Sequence, residues 1–506
     1  MRKTAVFCTL LAIGSAASAS TTSKPPASTV SSNPSADAAR ENLRVAVIYI
    51  GSNNLAAAAQ AVDKVLQQDD FERLPEKVRY AAYVVAGGVA EEQGEHKKAH
   101  GYLVRGTSLP EADNEAWFTR LRSAYALKDY PDSALCVTAI ARQWPDRLVD
   151  INERAMITIQ RELLDGKHAS QRLAYLQALF DAHWKDSDGE PNEFWQDLAT
   201  LQLASGHTPQ AAAAAARIDS ARTVLSMRVD KRFDVLTHAD QKHYDVDRTL
   251  AREIDSARAQ MQADPHKLRP TVRLQSLLLS AQRYDEVLAL ADAVIARTQE
   301  GNGSAIYEDF DKQYIWLLDE RSRALARLGR WDEALEQWQR AARRPEDGGM
   351  NVSQIINLGQ LYADLQRPGE ALSTVQELGS MSPYGRMQLE IVRLEAAIAQ
   401  QDQAAVSTHL AYMREHRQDA ITTWQAALLL TNHLDEATDL LVERLRNEEW
   451  RSQALEDMQI YAAIRTTPMD TERLKRWRDI IARPKVQDAL AGVGRVETFH
   501  LDPVET

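Results

Sequence analysis

The sequence predicts an all-α protein, a solenoid of stacked antiparallel helix pairs, and three observations carry that expectation. The 506 residues include only 21 Gly and 17 Pro, too few for the many turns of an all-β chain, whereas Ala, Leu, Glu, Arg and Gln, all good helix formers, abound. With 44% hydrophobic and 26% charged residues, the composition is that of a globular protein, not of a disordered or collagen-like one. The chain is too long for one compact core, and a pattern of small and apolar residues returns about every 34 to 38 residues along most of it, which a generic helix bundle would not show.

Residues 1–19 have the three parts of a secretory signal peptide: a basic start at Met1-Arg2-Lys3, an apolar run from Thr4 to Ile13, and small residues at Ala17-Ser18-Ala19. Cleavage is expected before Ser20. The expected destination is the periplasm, with the extracellular medium as the alternative. Cys8 lies inside the apolar run and is not placed for lipidation. Residues 20–39, with Lys24-Pro25-Pro26 and Ser31-Ser32-Asn33-Pro34, lack hydrophobic periodicity and are expected to be a flexible linker. No later stretch approaches the roughly 20 apolar residues needed to span a bilayer, so no transmembrane segment is predicted.

Residues 40–446 are expected to be the repeat region, opening with a helix pair over residues 43–68 built around Ala56 to Ala61. The clearest repeat covers residues 355–383. Leu358 and Gly359 share a helix face with Tyr362, Ala371 follows at the start of a second helix, and Pro383 ends the unit. A small residue such as Gly359 permits close helix approach, and Pro383 cannot continue the preceding helix. This combination resembles the tetratricopeptide repeat (TPR). Trp195, Leu198, Ala199, Gly206 and Ala211 repeat it, as do Phe118, Leu121, Tyr125, Ala134 and Ala141; Gly329, Trp331, Ala334, Trp338 and Ala341 form a strong second-helix entry. Taking the small second-helix position as 99, 134, 171, 211, 287, 334, 371, 405 and 437 leaves two irregular steps. They predict a degenerate unit at about 227–265 and an insertion at about 298–312. The resemblance implies a right-handed superhelix. Residues 447–506 are expected to be capping helices and a tail, with Leu474, Trp477, Ile480 and Ile481 as the apolar stripe of one helix.

Candidate chemistry is sparse. Without the leader, Cys136 is the single cysteine, so no intramolecular disulfide is possible, and its apolar neighbours predict a buried thiol. His96 and His100, four residues apart, share a helix face as two metal ligands would, which leaves a metal-dependent hydrolase as a remote alternative, but no third ligand is evident. Asp186-Ser187-Asp188-Gly189-Glu190 has the oxygens of a calcium loop without the later bidentate Glu. No catalytic residue, cofactor site or metal site is assigned. A formal net charge of −12, with no concentrated basic face, argues against nucleic acid.

The resemblance implies instead a groove lined by first helices, with Arg273, Ser276, Asp319, Arg323, Arg327, Ser353, Gln360 and Asp364 facing it. Asn357 matches a residue with which some family members grip a terminal carboxylate, but Glu320 and Arg273 stand where its partners would be. The expected function is that of a non-enzymatic, exported scaffold binding a protein or peptide segment. The alternative is an accessory subunit of an envelope or polysaccharide export machinery, within an envelope-associated complex.

Overall fold

The computed structural model describes residues 33–298, 303–345, 349–462 and 465–502. The expected leader lies outside them, as do the linker as far as residue 32 and residues 299–302 of the expected insertion. The rest of the linker is helical: Pro34 occupies the first turn of Pro34–Gly51, the Asn33 side chain accepts from the Ala36 amide, and Ala36 and Ala39 are buried. Proline at the first helical position and an Asn cap start a helix where composition alone suggested a tether.

Among the described residues, ten helix hairpins share one turn. In chain order they are Pro34–Gly51 with Leu55–Leu66, Glu76–Glu92 with His96–Thr107, Asn114–Ala126 with Tyr130–Gln143, Glu153–Asp165 with Ala169–Asp181, and Asn192–Ala204 with Thr208–Ala215. The sixth to tenth are Arg269–Ser280 with Tyr284–Thr298, Phe310–Arg327 with Trp331–Ala342, Val352–Asp364 with Pro368–Thr374, Pro383–Ala399 with Gln403–Glu415, and Ile421–Leu430 with Leu434–Arg446.

Each first helix ends on a left-handed residue: Asn53, Gly94, Lys128, Lys167, Gly206, Gln282, Gly329, Gln366, Gln401 and Asn432. The next residue donates its amide to the carbonyl five positions back, as Asp129 does to Ala124 at 2.9 Å and Arg367 to Tyr362 at 2.8 Å. This is the Schellman cap, which satisfies the last carbonyls of one helix while turning the chain into the next. Five residues after every left-handed residue comes the small contact position of the second helix. Ala58, Ala99, Ser133, Ala211, Val287, Ala334, Ala371 and Ala437 there are fully buried. The expected positions 134, 171 and 405 are each one residue out: the turns place Ser133, Arg172 and Val406 there.

The chain divides into two compact units, Met1–Ala214 and Ala215–Thr506. The first holds hairpins one to five, each packed on the next, with Ala46, Ala58, Val65, Ala82 and Val85 in the core of its first two. The second opens with Ala221–Val229, a short turn of helix at Asp234–Thr237 and the long Val246–Ala263, before hairpins six to ten. The expected degenerate unit is therefore a broken helix followed by an unbroken one. The short helix Gly303–Ile306 stands in the expected insertion, and Phe310 already begins the next long helix.

Gly359 sits where a Cβ would meet Val375 Cγ1 at 2.6 Å and Val392 Cγ1 at 3.4 Å, so its lack of a side chain lets the helices approach. After the tenth hairpin come Arg451–Asp457, Pro468–Ile481 and Pro484–Val493, with a two-strand parallel pair: β1, Ile460–Tyr461, beside β2, Thr498–Phe499. No described helix is long and apolar enough to cross a membrane.

Candidate functional site

The residues after the last hairpin were expected to cover an open terminal face. They touch that hairpin, but they also return along the row of turns as a strap. In Pro468–Ile481, started by Thr467 capping the Asp470 amide, Arg476 donates from Nη1 to the carbonyls of Leu429 and Leu430, both at 2.7 Å. These are the last carbonyls of a first helix, where a cation complements the helix dipole. Arg483 reaches Asp435 at 2.7 Å, and Lys485 pairs with Asp439. Between this helix and the turns lies a cleft of about 450 Å³ lined by Gln366, Gln401, Leu430, Met469 and Arg473, among others.

Beside the cleft, Gln360 donates to Glu395 at 2.7 Å and to Asp364 at 3.1 Å. Burial, reinforced by nearby Asp470, pushes the Asp364 carboxyl up to about 7, against the opposing pull of Arg473. Glu395 is raised as well, by burial and then by Asp364 itself. Each of these neighbouring carboxyls opposes the ionisation of the other.

The strap then extends as an open peptide. The Gly494 backbone bridges to Asp230, and Arg495 donates its amide to Val229 O at 3.0 Å and a guanidinium nitrogen to Asp234 at 2.5 Å. Glu497 accepts from Arg228 at 2.6 Å, and its carbonyl accepts from the Ile460 amide at 3.0 Å. Val496, Thr498 and His500 are exposed while Phe499 and Leu501 are buried, the alternation of a strand with one face inward. The anchor at the far end is Asp502. Both its oxygens lie 2.9 Å from Arg327 Nε, Tyr284 donates its hydroxyl at 3.3 Å, and its amide donates to Ser280 O at 2.9 Å. Burial and the Asp502 charge push the Tyr284 phenol up, so it remains a donor.

The eight residues predicted for the groove do not form one open surface. Ser276 and Ser353 are exposed, and Arg273 is half-buried near Glu253, whose carboxyl burial pushes up to about 7. Asp319 is 2% exposed and accepts from Trp338 Nε1 at 2.7 Å, Asn357 at 3.0 Å and Arg323 at 2.7 Å. Its carboxylate joins the seventh hairpin to the eighth through Asn357. Gln360 and Asp364 belong to the carboxyl pair under the strap, and Arg327 holds Asp502.

In the first unit, His96 bonds Glu91 at 3.0 Å while His100 bonds Asp132 at 2.9 Å, so the two imidazoles serve different carboxylates. Burial would raise the Asp132 carboxyl, but bonds from Arg120 and His100 hold it low. Buried Cys136 lies 3.8 Å from that carboxylate, and burial followed by this charge pushes its thiol up, the opposite of nucleophile activation. In the acidic loop, Asp186 accepts from the Asp188 amide and Glu190 from Trp195, both at 2.8 Å. No group of three or more His, Cys, Asp or Glu among the described residues could hold a metal ion. Sequence reasoning missed Arg228, Tyr284, Glu497 and Asp502. The alternation of Phe499 and Leu501 marks the strap as extended, but nothing in the sequence marks Arg228 or Tyr284 as its partners.

No protein-family model matches the chain, and no curated protein sequence does. Solved structures match loosely. Yeast Tom70 is 10% identical, with 90% of this chain and 99% of that chain covered at a TM-score of 0.29. The P58(IPK) TPR domain is 14% identical, with 81% and 99% covered at 0.20. Cut9-Hcn1, an APC/C hetero-tetramer, is 12% identical, with 90% and 89% covered at 0.23. The architecture is defined by the chain itself, whose ten described hairpins carry one turn and a contact position five residues after it, fully buried and Ala, Ser or Val in eight of them. A solenoid of such units is tetratricopeptide-like.

Proposed function

We propose that this chain is a non-enzymatic scaffold, exported across a membrane, that holds an extended segment of a partner protein against its helix hairpins. The observation that carries this reading is the seating of residues 495–502, an open peptide whose two carboxylates are received by Arg228 and Arg327 and whose backbone bonds to a strand and a helix end. A surface that holds one extended acidic peptide has the donors and apolar sockets to hold others. Export is supported by the basic, apolar and small-residue segments of residues 1–19.

The test is to express the tagged full chain in its host, fractionate the cells, sequence the amino terminus of the recovered protein and crosslink before purification. The expected result is a protein outside the cytoplasm that begins at Ser20 and is crosslinked to a defined partner through the second unit. A cytoplasmic protein that retains residues 1–19, or crosslinks confined to the first unit, would refute the corresponding part of the proposal.

A further inference from the structure

We infer that the place now filled by residues 496–502 is a peptide-recognition site occupied in cis, and that its partner is an extended acidic segment of another protein that displaces this tail. The inference deepens the scaffold reading and rests on it.

The socket is built from parts far apart in sequence. Arg228 comes from the first helix of the second unit, Ser280 and Tyr284 from the turn of the sixth hairpin, Arg327 from the seventh, and β1 supplies a strand edge. The occupant meets each part in a way that another peptide could copy. Two carboxylates five residues apart, Glu497 and Asp502, meet two guanidinium groups in charge-assisted hydrogen bonds from Nε. Phe499 and Leu501, two residues apart on one face of the strand, are buried. The backbone joins β1 in register, Thr498 beside Ile460 and Phe499 beside Tyr461. Strand addition supplies affinity through main-chain bonds that any sequence can make, and side-chain sockets supply the choice. The matching chemistry is an acidic residue, two apolar residues at alternate positions, and a second acidic residue immediately after them.

Occupancy in cis sets a threshold. A tethered segment competes at an effective concentration in the millimolar range, so an outside peptide of equal intrinsic affinity fills the site only when the tail is weakened or the competitor is abundant.

The probe is a fluorescent peptide with the sequence of residues 496–506, its binding read by anisotropy. It is added to the full wild-type chain, to a full chain carrying Glu497→Lys and Asp502→Lys in its own tail, and to that variant with Arg327→Glu added. The peptide is expected to bind the tail variant at least 10-fold more tightly than wild type, and adding Arg327→Glu is expected to reverse that gain. Equal affinity for wild type and a tail variant that keeps its helicity and melting point would overturn the inference and make the strap a permanent structural part.

Should the tail variant lose its fold, hydrogen exchange on wild type decides. Excess peptide should speed exchange at residues 495–502 while leaving the hairpins protected, and unchanged exchange there refutes displacement. If the peptide fails while crosslinking still finds an exported partner, this site assignment falls and the scaffold reading stands. If the peptide binds and no partner is found outside the cytoplasm, the reverse holds.

Discussion

Lys128 shows what a single residue does in this fold. It sits at φ 59°, one of seven left-handed non-glycine residues among the ten hairpin turns, with the turn bonded on either side by the amides of Lys128 and Asp129. A side chain in that region costs about 1–2 kcal/mol, partly offset by the freedom glycine adds to the unfolded chain. Lys128→Gly is therefore expected to stabilise the protein by about 0.5–1 kcal/mol and to raise the melting temperature by roughly 1–4 °C in calorimetry. Unchanged or lowered melting would mean that the Lys side chain makes a compensating contact. The same residues explain what could be read in advance. Turns marked by glycine, at Gly94, Gly206 and Gly329, were visible in the sequence, whereas Lys167 and Gln401 look like ordinary helix residues, because backbone bonding and not residue type fixes their conformation. Arg172 was passed over for the same reason: a search for small residues cannot find a long one that occupies the contact position by pairing with Asp197.

At the scale of elements, the helix Pro468–Ile481 was legible through its apolar stripe, but its Thr467 cap and its docking place were not. An amphipathic stripe says that a face is buried without saying against what. The structure sets it over the ends of first helices, beside the Asp364 and Glu395 carboxyls. Asp364 is raised from 3.8 to about 7. Between those values the unfolded chain has released a proton that the folded chain keeps, so stability falls as pH rises from about 4 towards 7, and the raised Glu395 acts in the same direction. Thermal melting at pH 5 and pH 7.5 is expected to show this decline. Asp364→Asn should shrink it, and adding Glu395→Gln should shrink it further. An unaltered slope in the double variant would place the pH dependence elsewhere.

For a whole compact unit, the decisive residue is Gly494. A Cβ there would collide with Leu455 and come within 2.7 Å of Val229 O. Three chain segments meet at this point: the first helix of the second unit, the helix after the last hairpin, and the strap. Gly494→Val is expected to destabilise by about 1–3 kcal/mol and to raise hydrogen exchange together in residues 221–234 and 451–461, although neither stretch is altered. Exchange raised at residue 494 alone would mean that the three segments do not form one cooperative unit. None of this closure could be read from the sequence. Repeats declare themselves through local spacing, but the meeting of Arg228 with Glu497, 269 residues apart, leaves no periodic trace.

That separation also orders events in time. A ribosome adding about 5–20 residues per second makes Arg228 roughly 10–50 seconds before it makes Glu497. Every hairpin can form from neighbours already synthesised, yet the second unit has to wait for Glu497 before Arg228 can meet it. Until then its first helix lacks those neighbours, and closure is tied to the arrival of residues 494–497. The strap thus sets an order of events: the hairpins come first, and the contacts of Arg228 and Val229 with residues 495–497 come only after those residues are made.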